Sequence, residues 1–511
     1  MAEETQIDRK RIAKNTLFLY FRMILIMGVT LFTSRIVLDK LGVDDYGLYN
    51  VVGGLVAMLS FINGTLSVGT SRFISVEIGK DDKEKLSKTF NTAFRAHLFL
   101  SGIILISMET VGLWFLYHHL VIPIDRMNAA VIVFHISILT ALVEITQVPY
   151  TSDIIAHEHM GIYAYISIAE ALFKLGIVYL LSISHYDKLV TYAVLIAIVQ
   201  ILIALWYRYY CVRHFNESHM TWTFDVEILK KMLSFSGWNI LANITETLKL
   251  QGVLILINMF FMPAIAGAQA IGNQVSGALM QFSNNFRSAI NPQIIKSYAA
   301  GEYEASQKLT LQTTVYVFDL LLLICLPAIV IMDTLLHLWL VEVPPYAVIF
   351  TQFILLQRIL DNFGASFYVP MMASGRVKSN AIACVFLGIG QFVVLYVLLK
   401  LGFGVMWIQY MGIFMICCFS FLVKPFILWR EINYKIKDLV TCYFSCFKVS
   451  FLPFLISFFC CFLCPTDNIP SALLKVFFIM SSVILSSLYF MEQGVRHKLL
   501  TLIKMKMAKF I

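Results

Sequence analysis

The sequence predicts an all-α integral membrane protein of about fourteen transmembrane helices: two six-helix lobes with two extra helices at the C-terminus. Three observations carry this. Of 511 residues, 59% are hydrophobic and 14% charged, whereas soluble globular chains are ~25% charged. Apolar runs long enough to cross a bilayer recur from end to end. Lys and Arg in the connecting segments fall on alternate sides, roughly 24 against 4, and by the positive-inside rule the rich side is cytoplasmic.

Read against loop signals, the runs fall near 15–39, 45–78, 87–117, 128–153, 159–184, 188–211, 231–261, 263–298, 308–336, 346–373, 379–400, 404–428, 440–464 and 470–492. An even number of spans with this charge asymmetry places both termini in the cytoplasm. The first run is too long for a cleavable signal peptide and holds arginines. The largest inner loop separates spans six and seven, so we read 1–211 as an N-terminal lobe and 212–230 as a cytoplasmic linker. Residues 231–430 form a C-terminal lobe, and 431–511 carry two added spans and a basic tail. A faint repeat supports the duplication. Asn15–Lys80 echoes Leu233–Gly301, and aligning Gly79 with Gly301 also aligns Asn63 with Asn285 and Asp82 with Glu304. Halves that enter from the same side are parallel repeats.

Composition excludes several classes of function. The net charge of +8 is spread over short loops and reflects membrane topology, not nucleic-acid binding. The ten cysteines follow no framework or metal-ligand spacing. No HExxH, GxSxG, Walker A or Asp-x-Asp signature is present, so neither an enzyme nor a cofactor is expected. His118 and His119, and likewise His157 and His159, read as solvated loop histidines.

The informative residues are charges and amides within spans. Such groups are costly in a bilayer and face a bundle interior or watery cavity. Arg22 shares a helical stripe with Asn15 and Thr33. Arg72 sits among Ser67, Thr70 and Ser71, either in a cavity or snorkelling to headgroups. In span eight, Gln269, Asn273, Gly277, Gln281, Asn284, Arg287, Ser288 and Asn291 recur at helical spacing. Hydrocarbon would leave those amides without partners, so the face is a cavity wall or a network holding helices together. Glu170 and Lys174 are spaced to form an ion pair, as are Arg358 and Asp361. Glu144 and Asp319 lie near mid-membrane with no basic neighbour in sequence. Each either loads and releases a proton or binds Na⁺, or pairs with an arginine on another helix.

The segment KNTLFLYFRMILIMGVTLFTSRIVLDKLGVDDYGLYNVVGGLVAMLSFINGTLSVGTSRFISVEIGK resembles the N-terminal region of bacterial polysaccharide-biosynthesis transporters. These are Wzx-type flippases of the multidrug/oligosaccharidyl-lipid/polysaccharide exporter superfamily. The most typical residues are Leu41-Gly42, Asp45-Tyr46-Gly47-Leu48-Tyr49 and the glycine-rich stretch that follows. The resemblance implies two lobes around a V-shaped cavity in the cytoplasmic membrane. It also implies an undecaprenyl-pyrophosphate-linked oligosaccharide as substrate, with other polysaccharide-assembly membrane proteins as partners. Arginines from the first, second and eighth helices serve related lipid-II flippases, and Arg22, Arg72 and Arg287 come from the equivalent spans. Arg358, Asn273, Gln281 and Asn284 complete the expected substrate-binding set, and Glu144, Asp319 and Asp361 the ion-coupling set. The rival expectations are a cation-coupled multidrug exporter of the same superfamily and a membrane-embedded polysaccharide polymerase or ligase.

Overall fold

The computed structural model describes residues 24–58, 60–80, 82–157, 159–232, 245, 247–463, 468–491 and 496. Among these residues the chain is all-α, without strands. The helices are α1 (24–41), α2 (Val43–Ala57), α3 (Ser60–Gly79), α4 (Lys83–His119), α5 (Ile124–Ala156), α6 (Met160–Ile183), α7 (Lys188–His214) and α8 (Leu248–Phe260). They continue with α9 (Pro263–Ala299), α10 (Tyr303–Val330), α11 (Met332–Trp339), α12 (Ala347–Ser374), α13 (Lys378–Lys400), α14 (Trp407–Ile432), α15 (Ile436–Leu463) and α16 (Ile469–Phe490).

Among the described residues, nine helices are long and apolar enough to cross a membrane: α4, α5, α6, α7, α10, α13, α14, α15 and α16. The remaining expected spans fall on α1, on α2 with α3, on α8, on α9 and on α12. They are shorter in their described part, interrupted, or more polar. This is an all-α, multi-pass membrane protein.

Local sequence explains the breaks. Gly42 separates α1 from α2 at φ 81°, a left-handed conformation that glycine adopts without a Cβ penalty. Gly301 (φ 81°) ends the α9 turn in the same way. Prolines 149, 327, 370 and 453 sit inside α5, α10, α12 and α15, where each removes a backbone donor. Wide π turns at Met108–Gly112, Leu248–Gly252 and Cys418–Val423 interrupt α4, α8 and α14.

The chain packs as two compact units. The first takes the described part of Met1–Ala270 with Leu340–Pro345 and Cys384–Val405; the second takes Ile271–Trp339, Tyr346–Ala383 and the described part of Met406–Ile511.

In the first unit, Phe90, Tyr150, Ile154, Ile166, Ile203 and Phe215 share one buried apolar cluster drawn from α4, α5, α6, α7 and the segment after α7. That segment belongs to the expected linker and is docked, not free. Asn91 of α4 donates to the His219 carbonyl at 3.3 Å and accepts from the Thr221 backbone N–H at 2.8 Å. Arg95 donates to the carbonyls of Thr221 and Trp222 at 2.7 and 2.8 Å. Another tie joins three elements. Arg126, at the start of α5, donates through Nε to Asp45 Oδ1 of α2 at 2.9 Å and through Nη1 to Asp187 Oδ2, before α7, at 2.6 Å; its Nη2 also meets Asp45 Oδ2.

In the second unit, α10 packs against α12, α15 and α16. The two C-terminal helices therefore belong to that unit's body. The buried Ser486 hydroxyl of α16 donates to the Val449 carbonyl of α15 at 2.8 Å.

Candidate functional site

Each unit holds its own polar constellation in a predominantly apolar bundle. In the first unit, a cavity of about 420 Å³ is lined by α2, α4, α5, α6, α7 and α8. Its polar lining includes Asn50, Ser137, Thr140, Glu144, Lys174 and Gln251, beside the rings of Tyr49 and Tyr192. These rings meet edge-on with centroids 4.8 Å apart. The cavity has room because small residues face it: Gly53 and Gly54 of α2, and Ala57. A Cβ at Gly54 would stand 3.0 Å from Gln251 Oε1. Glu144 is exposed to this space. Lys174 lines it too and donates to Glu170 Oε1 at 2.6 Å, the i,i+4 ion pair that the spacing predicts. Lys174 also lies within electrostatic reach of Glu144, so the cavity carries both charge signs.

The second unit holds an arginine network between α9 and α12. Arg287 is only 6% exposed. It donates from Nη2 to Asn362 Oδ1 at 2.7 Å, while its Nε is buried with no hydrogen-bond partner. Asn362 is fully buried and donates to the Thr314 carbonyl at 2.9 Å, which fixes the amide that receives Arg287. Arg358, one turn before Asn362, donates from Nε to Ser276 Oγ of α9 at 2.9 Å and stands 3.9 Å from Asp361 Oδ2. Asp361 is also within electrostatic reach of Arg287. Asp361 thus lies near both arginines. Asp319 lies elsewhere in this unit, on α10 beside Ser487 of α16, with its Oδ1 buried and unpartnered.

The other predicted residues are more scattered. On α9, Gln281 and Asn284 are exposed, while Asn273 is half-buried and partnered. Further along that helix, Asn291 Oδ1 is buried without a hydrogen bond. Arg72 is exposed on α3, with its guanidinium carbon 5.9 Å from the neighbouring Phe73 ring. Arg22 and Asn15 lie outside the described residues. The structure therefore joins Arg287, Arg358 and Asp361 in one network and puts Glu144 in a separate cavity. Sequence reasoning missed Asn362 and Ser276 as arginine partners and Lys174 as a cavity wall. The polar run Gln357, Asn362 and Ser366 in span ten was the available signal for the first.

The helical fold is shared with solved transporters of the MOP superfamily. The lipid II flippase MurJ, in its inward closed conformation, superposes with a TM-score of 0.69 at 10% identity, covering 94% of this chain and 98% of that one. An inward-facing multidrug resistance transporter of the MATE family gives 0.63 at 14% identity, covering 81% and 94%. A superfamily transporter from Pyrococcus furiosus gives 0.60 at 14% identity, covering 82% and 95%. No curated protein sequence matches. The family model described as polysaccharide biosynthesis protein matches residues 40–343, and the chain belongs to that family.

Proposed function

We propose that this protein is a flippase. It turns an anionic, undecaprenyl-pyrophosphate-linked oligosaccharide across the bacterial cytoplasmic membrane by alternating access, with both termini in the cytoplasm, to supply cell-surface polysaccharide assembly. The observation that carries the reading is the unmatched Nε of buried Arg287. A buried donor left without an acceptor costs about 1–3 kcal/mol, and more on a charged group. An anion with several oxygens would satisfy it, and guanidinium is suited to gripping phosphate through a planar fork. Arg358, Arg72 and Arg22 supply further positive charge, and Asn273, Gln281 and Asn284 offer amides for sugar hydroxyls. Arg287 and its network supply binding, not bond making, so the chain needs no catalytic group.

Glu144, Asp319 and Asp361 are the proposed ion-coupling carboxylates, using H⁺ or Na⁺. Family membership in polysaccharide biosynthesis supports the sugar-linked cargo, and a lipid flippase among the structural neighbours supports the mode of movement. In cells, Arg287→Ala is expected to abolish glycan export while leaving protein levels normal. Full export from a variant with Arg22, Arg72 and Arg287 all replaced by Ala would refute the assignment.

One observation favours a second reading, a cation-coupled multidrug exporter: the exposed Glu144 carboxylate in the cavity of the first unit. Drug susceptibility separates the two. Loss of the gene would sensitise cells to cationic drugs under the second reading and leave susceptibility unchanged under the first.

A further inference from the structure

Three ligand-bearing side chains converge outside both constellations described above. Asp153 and His157 stand one turn apart at the end of α5, and Glu217 lies in the short Asn216–Ser218 turn after α7. Their donor atoms lie within 4.8 Å of one another. His157 Nε2 is 2.6 Å from Glu217 Oε1 and 3.7 Å from Asp153 Oδ1. Asp153 is 0% exposed and Glu217 7%.

We propose that Asp153, His157 and Glu217 form a site for a first-row divalent metal ion of the zinc type, fastening the segment after α7 to the cytoplasmic end of α5. Proton counting leads to this. His157 Nε2 carries at most one hydrogen, and Glu217 at 2.6 Å takes it. Asp153 Oδ1 is then left buried with no hydrogen-bond partner, beside a second carboxylate. One cation at the centre satisfies all three groups at once. Ligands held at zinc distances of about 2.0–2.2 Å in a tetrahedron stand roughly 3.4 Å apart, a value bracketed by the 2.6 and 3.7 Å separations seen here. One imidazole with two carboxylates suits zinc and its neighbours better than magnesium or calcium, which prefer all-oxygen shells.

The surroundings orient the ligands. Ser218 Oγ donates to Asp153 Oδ2 at 2.5 Å, leaving Oδ1 for the ion. The His157 ring stacks on Phe215 at 4.1 Å and 7°. Outer partners of this kind fix ligand orientation in metal sites. His159 is engaged elsewhere, bonded to the Tyr210 hydroxyl at 2.9 Å, so a water molecule would complete the shell.

The test is a Co²⁺ titration of chelator-stripped, full-length protein in nanodiscs, followed by displacement with Zn²⁺. The site predicts one tightly held Co²⁺ per chain with visible tetrahedral absorption bands, lost on adding Zn²⁺. His157→Ala and Glu217→Gln should each weaken binding by about 100-fold, at or beyond the upper end of losses seen for groups that only orient ligands. Zn²⁺ should raise the melting temperature of the wild type and not of Glu217→Gln, a near-isosteric change that spares the fold. A wild type without the absorption bands, or bands that persist in both variants, would overturn the proposal.

Discussion

Arg287 and Arg126 show two ways of housing a guanidinium in a membrane protein. Arg126 joins Asp45 and Asp187, and its role is mechanical. Burial pushes the Asp187 carboxyl up, but the hydrogen bond and charge of Arg126 outweigh it and hold the group below the usual carboxylate range. A depressed carboxylate contributes stability above its unfolded pKa of about 3.9, and that contribution is lost as pH falls through the lower folded value. Arg126→Ala should therefore melt earlier than wild type at pH 7, with the gap narrowing as pH falls below the ordinary carboxylate range. The Asp187 part is modest, no more than about 1 kcal/mol for a pair this exposed. A scan of melting temperature against pH checks it. Arg287 has an amide partner and an idle Nε instead. If that atom exists to bind phosphate oxygens, Arg287→Lys keeps the charge but loses the fork. Export by this variant should fall by at least about 10-fold, the cost of one charge-assisted hydrogen bond of ~1.5–3 kcal/mol. Export assays alongside a blot for protein level would show it.

At the scale of elements, α2 and the start of α9 approach backbone to backbone. A Cβ at Gly47 would stand 2.0 Å from the Pro263 carbonyl oxygen, and one at Gly267 would stand 3.4 Å from the Gly47 Cα. Backbone meets backbone there, so no side chain can swing aside. Gly47→Ala should destabilise by about 1–3 kcal/mol, the usual cost of overpacking, or more, while Gly277→Ala, with open space around it, should be far milder. Melting of the two purified variants makes the comparison. Hydropathy alone placed the long apolar helices, because bilayer thickness imposes a minimum length on each. The π turns were not legible: an extra residue shifts the helical phase, but a helix apolar on nearly every side has no polar face to show the shift. The Asn362 partner of Arg287 stayed hidden because the two lie 75 residues apart and no local spacing rule reaches that far. His157 shows the same limit: its neighbours in sequence suggest a wet loop, and only the return of the chain after α7 brings Glu217 to it.

At the scale of the whole molecule, the account makes one topological and one functional claim. If both termini are cytoplasmic, a single cysteine placed at Lys83 in a cysteine-free background should be blocked by membrane-impermeant reagents only from the cytoplasmic face. A cysteine placed at Asp125 should be blocked only from the outside. The functional claim is that an anionic lipid-linked sugar crosses the membrane on buried arginine. Its most direct test uses proteoliposomes containing purified protein and a fluorescent undecaprenyl-pyrophosphate oligosaccharide, with an impermeant quencher reporting which leaflet holds the label. The account predicts that wild type makes the inner-leaflet pool accessible, whereas Arg287→Ala behaves like protein-free vesicles. Equal rates for wild type and Arg287→Ala, or no movement by an active wild-type preparation, would contradict it.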